Sequence, residues 1–439
     1  MEALSRVPHR YAGSPGEREI LQQVKDRLPT GVVGRVEGFV AFTSPGLVVG
    51  LHAAAILLAG LLGLVEPLSA TLLGGLATLS LWAEGTGKFS ILRLILPKQA
   101  SYNLVARLEA GPAGGSSQAI VPDGGLAPIG TVILTAPLDI PRWRPDPPRW
   151  FRRPLQAVLL AAAVVVALLA LRVLAQPWGR PSQGLYAASL LVLGTSVALG
   201  FVAHRRTGGA AEDASGPAVL LEVARRMQAA PMPGVDLWFV WTGCGHAYQN
   251  GMHAFLAMRG QRLKSPVLVI ALDEPGRPPL GAVVSEGPLF AERHRPTGPA
   301  LVERLRWAGL QIPSIDHAGV TDARAALRWG YRAVALSGGS ATSSPDLAEK
   351  AADVTEALVR LFGYDVARTA DFTQKMGELA VDRVPPPEVV EQRAIGRLLG
   401  RLRARVARKP EDDPELTPLP TDIASLEPME KRDKPAGDT

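Results

Sequence analysis

The sequence predicts an α/β fold: a mostly parallel central sheet with helices on both faces, plus four transmembrane helices in two inserted hairpins. Three observations carry this. Residues 204–366 alternate short apolar runs with amphipathic stretches, as strand–helix units do. The runs Thr131–Ala136, Val235–Trp241 and Pro266–Leu272 are almost continuously apolar, which is how strands buried on both faces of a parallel sheet read. Four longer apolar runs approach the ~20 residues that span a bilayer core.

The totals bound the rest. A chain of 439 residues holds one large domain or two smaller ones. The mean hydropathy of +0.13 is high for a chain with 38 Pro and 45 Gly, because the apolar residues sit in a few runs. The net charge of +6 falls beside those runs and in one late helix without interleaved aromatics, so no nucleic-acid partner is expected. The single Cys, Cys244, excludes an internal disulfide and a multi-Cys metal site, and it fits a reducing compartment. Residues 1–45 lack the basic start and apolar core of a signal peptide, so no cleaved leader is expected.

Residues 1–45 open the soluble part. Ser14-Pro15-Gly16-Glu17 starts a helix with Ser at the cap, and Ile20, Leu21, Val24 and Leu28 form its apolar stripe. Residues 46–83 form the first transmembrane hairpin: Gly46–Val65, broken by His52, then a turn at Glu66-Pro67 and the run Pro67–Ala83. The alternative is a buried helical hairpin of a soluble core. Residues 84–154 return to the soluble domain, with strands at Tyr102–Leu108 and Thr131–Ala136 around a Gly/Ser-rich loop at Gly111–Gly125. Residues 155–203 form the second hairpin, Leu155–Ala175 and Leu185–Ala203.

Arg149, Arg152, Arg153, Arg205 and Arg206 flank this hairpin on one side, against Arg172 and Arg180 on the other. The positive-inside rule then places the soluble parts in the cytoplasm, against a membrane of the bacterial inner-membrane type. The main α/β portion is 204–384, with helices expected at Pro217–Ala229, Pro299–Ala308, Asp322–Trp329 and Asp346–Phe362. Further strands are expected at Gly281–Ser285 and Arg332–Leu336. Residues 385–408 read as a basic amphipathic helix, lying on an anionic membrane surface or solvated. Residues 409–439 are Pro- and charge-rich and expected to be disordered.

The chemistry concentrates at Phe239–Leu256, FVWTGCGHAYQNGMHAFL: a buried strand, a sharp Gly-containing turn at Cys244-Gly245-His246, then a helix. Other short motifs accompany it in order: Gly13–Glu17, Tyr102–Ala106, Thr131–Asp139, Gly209–Glu222, Leu272–Gly276 and Ile315–His317 with the strand after it. In this order they resemble the di-zinc aminopeptidase family, which also holds glutaminyl cyclases and the protease-like domain of the transferrin receptor. The resemblance covers most of the non-membrane residues before the tail.

The resemblance implies a zinc-aminopeptidase-like sheet and a site depleted of its ligands. The position of the family's first zinc-binding His is Pro137, whereas Asp139, which would orient that His, is kept. The bridging Asp aligns with Glu212, and Asp213 could substitute. The general base and the next ligand, a Glu-Glu pair in the family, become Gly245 and His246. Asp273 keeps a ligand position. The final His is absent from the loop Gly338–Asp346. A two-zinc centre needs its full ligand set and a base for the bridging water, and Gly245 cannot supply the base.

Three functions follow. One is a degenerate, non-peptidase member that binds a peptide, lipid or protein partner and holds no cofactor. The second is a metal-dependent peptidase or amidohydrolase with one zinc rebuilt on Glu212 or Asp213, His246 and Asp273. The third is a structural membrane scaffold. Two side options are Cys244 as a nucleophile served by His246, and Asp316 with His317 as a pair in the same cleft.

Overall fold

The computed structural model describes residues 2–7, 9–86, 92–110, 128–141, 214–287, 291–295, 297–317, 319–339 and 342–380, with 164, 184, 187–195 and 197. The expected helix at 385–408, the 409–439 tail and most of the expected hairpin at 155–203 lie outside these residues, as do Glu212 and Asp213. The chain divides into two units, Met1–Val366 and Ala367–Thr439. The second is described only over 367–380, all helical.

In the first unit α1 (Glu2–Ser5) leads to α2 (Pro15–Lys25). Ser14 caps α2, its hydroxyl accepting from the Glu17 amide at 3.3 Å. Ile20, Leu21 and Val24 bury the expected stripe. Strand β1 (Gly34–Ala41) was not visible as a strand in the sequence. Only its last residue is fully buried, so its residues lack the apolar run that marks the central strands.

Helices α3 (Pro45–Leu62) and α4 (Pro67–Thr86) form the first hairpin. Ala53, Ile56, Ala59, Ala70 and Ala77 pack with Leu190, Leu193 and Val197 of the helical residues 187–195 and 197. The approach is close: a Cβ on Gly60 would lie 2.9 Å from the Leu191 side chain, and one on Gly194 2.8 Å from Leu57. Small residues of this kind let two helix backbones approach. His52, the one polar break in α3, bridges the hairpin, with Nδ1 2.7 Å from the Val48 carbonyl and Nε2 2.9 Å from Ser80 Oγ. Leu58, Leu61, Leu68, Leu72, Leu76 and Leu79 stand exposed on the outside.

Among the described residues α3 alone is long and apolar enough to cross a membrane, so the expectation of four spans is not supported. In α4 the apolar run is diluted by Ser69, Thr71, Gly74, Gly75, Thr78 and Ser80.

After α5 (Leu92–Ile95) come β2 (Gln99–Leu108), β3 (Gly130–Pro137), α6 (Ser215–Ala229), β4 (Val235–Thr242) and α7 (Asn250–Arg259). Then follow β5 (Val267–Asp273), β6 (Gly281–Glu286), β7 (Glu292–Arg293), α8 (Thr297–Trp307), β8 (Ser314–His317), α9 (Asp322–Arg328), β9 (Arg332–Ser337) and α10 (Pro345–Ala380). The sheet order is β1-β2-β4-β3-β5-β9-β6-β7, with β8 on β6.

The expected mostly parallel sheet is corrected to a mixed one. Pairings β3–β4, β3–β5, β5–β9 and β6–β8 are parallel. Pairings β1–β2, β2–β4, β6–β7 and β6–β9 are antiparallel. A continuous apolar run reports burial on two faces but not strand direction, which is why the sequence missed this. The centre, β4-β3-β5-β9, is parallel and mostly apolar inside, with Ile133, Val240, Val269 and Ala335 in one cluster under α7 and α9. On the other face Trp241 Nε1 donates to the Pro217 carbonyl of α6 at 3.2 Å.

Candidate functional site

The four parallel central strands end together. Pro137 lies opposite Thr242, and Asp273 opposite Ser337. Carboxyl ends of parallel strands are where such sheets place their ligands. Here the edge is crowded with titratable side chains and strained backbone. Cys244, Tyr248, Gln249 and Glu274 all have φ between 50° and 65°, a region that costs a non-glycine residue about 1 kcal/mol or more.

The turn after β4 points three consecutive amides at two carboxylates. The Cys244 amide donates to Glu17 Oε1 at 2.7 Å. The Gly245 amide donates to Asp139 Oδ1 at 2.6 Å, and the His246 amide to Asp139 Oδ2 at 3.1 Å. Glu17 also accepts from the Gly13 amide and the Ser101 hydroxyl, each at 2.9 Å. Burial, with the nearby charge of Asp139, pushes the Glu17 carboxyl up to about 8 despite these donors.

His246 is the centre of the site. Its Nδ1 lies 2.9 Å from the Asp139 backbone carbonyl and its Nε2 3.2 Å from Asp273 Oδ1. A carbonyl and an ionised carboxylate can only accept, so both ring nitrogens must carry protons and the ring is an imidazolium. Burial alone would lower its pKa. The carboxylates of Asp139 and Asp273 outweigh burial and raise it to about 10.

Asp273 is held between two imidazoles. His317 Nε2 approaches its Oδ2 at 3.1 Å. Burial would raise the Asp273 pKa, but the hydrogen bonds from His246 and His317 win and hold it well below the usual carboxylate range. His317 Nδ1 meets Ser337 Oγ at 3.2 Å. Asp322 lies buried beside them and accepts from the Thr242 hydroxyl at 2.7 Å. Burial pushes it to about 7.

The positions singled out in the sequence sort into three groups. Asp139, His246, Asp273 and His317 come together. Pro137 and Gly245 meet each other, since a Cβ on Gly245 would lie 2.6 Å from Pro137 Cβ. No side chain fits at Gly245 while Pro137 is there. Asp316 departs from the expectation: it is exposed and accepts from the Ser285 hydroxyl. Neighbours on a strand point to opposite faces, so Asp316 and His317 are not a pair.

Cys244 is fully buried, and burial with the charges of Glu17 and Asp139 pushes its thiol far above the usual range. Its base would have been His246, whose nitrogens are taken. The nucleophile reading is therefore corrected to an inert thiol. Ser337, His317 and Asp273 form a serine–histidine–carboxylate relay, but Ser337 is wholly buried and Asp273 is shared with His246, so the serine has no substrate access.

Sequence reasoning missed Glu17, Asp322 and Ser337 as site residues. Glu17 carries the signature of a helix-start acid, and Asp322 that of a helix-start residue. Only the fold brings them to the strand ends.

A two-zinc centre does not fit these residues. Pro137 and Gly245 offer no ligand atom, both nitrogens of His246 are spent on acceptors, and both oxygens of Asp273 are engaged by imidazoles. Among the described residues no group of three or more His, Cys, Asp or Glu is placed to hold a metal ion.

No family model matches the chain, and no curated relative does. Similar solved structures include an aminopeptidase from Aneurinibacillus sp. strain AM-1, at TM-score 0.43 and 14% identity over 82% of this chain and 91% of that one. The Porphyromonas gingivalis glutaminyl cyclase has TM-score 0.43 and 11% identity, over 83% and 95%. The zinc aminopeptidase from Bacillus subtilis has TM-score 0.41 and 11% identity, over 82% and 92%. These are proteins of the kind the sequence resembles. Their scores lie below 0.5, and the chemistry argued below rests on this chain's own residues.

Proposed function

We propose that the chain is a membrane-anchored binding module on an aminopeptidase-like α/β domain, without peptidase chemistry. One observation carries the proposal: both ring nitrogens of His246 face oxygen acceptors, the Asp139 carbonyl at 2.9 Å and Asp273 Oδ1 at 3.2 Å. The imidazolium supplies, as a fixed positive charge between two carboxylates, the neutralisation that such an acidic edge needs. Gly245 packed on Pro137 removes the room for a general base. What is left is a strand-end edge that we assign to holding a peptide or protein partner.

The exposed leucines of α3 and α4 suit a lipid bilayer as the second partner, and the Arg bias along the sequence favours a cytoplasmic soluble domain. Metal analysis of detergent-purified protein tests the proposal. The expected result is zinc well below one per chain, with no hydrolysis of aminoacyl amides. One zinc per chain that disappears in His246→Ala or Asp273→Asn would sink it.

A second reading, one zinc on a rearranged His246–Asp273–His317 set, has one feature in its favour. Both rings have Nδ1 against an oxygen, as metal-bound imidazoles commonly do. It requires His246 to give up a proton and Asp273 to release both rings, and the same metal analysis decides it.

A further inference from the structure

The first hairpin and the His246 site spring from the same edge of the sheet. Val36 of β1 and Trp241 of β4 both lie opposite Leu104 of β2, and both strands run antiparallel to β2. They therefore point the same way and are level at these residues. Beyond that level β1 continues from Val36 to Ala41, about 16 Å of extended chain, and α3 starts at Pro45. The hairpin thus leaves the domain beyond the ends of the parallel strands, on the side where Pro137, Thr242 and Asp273 lie.

The turn after β4 is fastened to the base of that hairpin on both arms. On the outgoing arm, Cys244 and Ala247 cluster with Ala41. Asn250 Nδ2 donates to the Phe42 carbonyl at 3.0 Å, and the rings of Phe42 and Tyr248 lie 6.2 Å apart. On the returning arm, the Arg93 guanidinium sits 4.1 Å from the centre of the Tyr248 ring. Its Nε lies 3.5 Å from Glu84, in the last turn of α4. Leu47 of α3 and Leu79 of α4 are already exposed near this base, so the apolar surface offered to lipid begins there.

We propose that the strand-end edge faces the bilayer and that its partner is a membrane-borne polypeptide, recognised in the first residues outside its own membrane-spanning segment. This rests on the reading of α3 and α4 as a membrane-embedded hairpin. The gap between the edge and the lipid surface is on the order of 20 Å, the overshoot of β1 with the link to α3. Five or six residues of extended chain cross it. A folded soluble domain, roughly 30 Å across, does not fit. Lipid headgroups form a layer only about 5–7 Å deep, and a phosphate reaching the edge would meet the carboxylates of Asp139 and Asp273.

The test places single cysteines in the full-length protein in phosphatidylcholine nanodiscs. The probe is a lipid with a maleimide on its headgroup, attached directly or through a ~20 Å spacer. Cys244 is buried and gives no background. Two exposed positions mark the strand-end edge: Pro15, at the start of the helix that brings Glu17 to Cys244, and Thr342, in the loop after β9. Asp26, just past the other end of α2, and Gln261, ahead of β5, are exposed toward the opposite edge. Pro15→Cys and Thr342→Cys are expected to label through the spacer at least fivefold faster than Asp26→Cys and Gln261→Cys. Equal labelling of the two edges overturns the proposal. Thr342→Cys labelled as fast without the spacer puts headgroups on the edge and overturns the choice of a polypeptide. Leu72→Cys, exposed on α4, reports the hairpin by itself. Its labelling by a water-soluble maleimide removes the bilayer reading and this inference with it. Protection at Leu72→Cys with Thr342→Cys unlabelled sinks this inference alone.

Discussion

Replacing His246 by Gln removes the positive charge between Asp139 and Asp273 while keeping a side chain of similar reach. The folded protein holds the His246 ring protonated to about 10, against 6.5 for a free side chain. Folding therefore gains from the charged ring fully below pH 6.5, and the gain is lost as pH rises through 10. At ~1.4 kcal/mol per pH unit, the difference amounts to about 5 kcal/mol as a ceiling, reduced in practice because the side chain keeps 15% of its exposure. Below pH 6.5 the substitution itself costs about 3–5 kcal/mol, since it leaves two buried carboxylates facing each other.

The assay is urea denaturation in a fixed detergent between pH 8 and 10, where the upper part of the Glu17 titration enters both proteins alike. The parent protein should lose stability across this window more steeply than His246→Gln, which should start lower. If both lose stability in parallel, the ring is not an imidazolium and the reasoning about the site fails.

Glu17→Gln tests the opposite kind of group. Its carboxyl is raised from 4.5 to about 8, so the folded state binds more protons and stability falls as pH rises between those values. The Gln variant should flatten that slope in urea denaturation run from pH 4.5 to 8, and an unchanged slope refutes the assignment. Gly251→Ala should cost at least ~3 kcal/mol by melting or urea, because a Cβ there would lie 2.2 Å from the Gly243 carbonyl oxygen. Gly245→Glu should lower the melting temperature and give no aminopeptidase activity, since the new side chain meets Pro137. Fluorophosphonate and iodoacetamide should leave Ser337 and Cys244 unlabelled in the folded protein by mass spectrometry; rapid labelling of either contradicts its burial.

The central strands were legible because Thr131–Ala136, Val235–Trp241 and Pro266–Leu272 carry the apolar code of two-sided burial, and the structure places each within a residue or two. The cap at Ser14 was equally clear. Strand β1 was not, because Gly34–Ala41 mixes Gly, Arg and Glu into a half-buried edge. Strand direction was hidden for the reason that burial and direction leave different marks. The site was half legible. His246, Asp273 and Asp139 stood out by motif, but their meaning depended on contacts across long separations. That both His246 nitrogens meet acceptors, and that Pro137 fills the space above Gly245, follows from how separate strands end at one edge. Glu17 sits far from His246 in sequence and advertised only a helix start.

The carboxylate-held turn at Cys244–His246 has a consequence for the order in which this protein assembles. Its three amides are satisfied by Glu17, 227 positions earlier, and by Asp139, 106 positions before Gly245. The first bond waits until α2 has met the turn after β4 and the second until the end of β3 has, and both hairpin regions of the chain intervene between Glu17 and the turn. Contacts closed over such long loops form late and slowly. The corner should thus be among the last parts of the domain to order during synthesis. Until then Cys244, buried and inert in the finished fold, is an open thiol, so its reactivity in a pulse-labelling experiment would time the closing of the cleft.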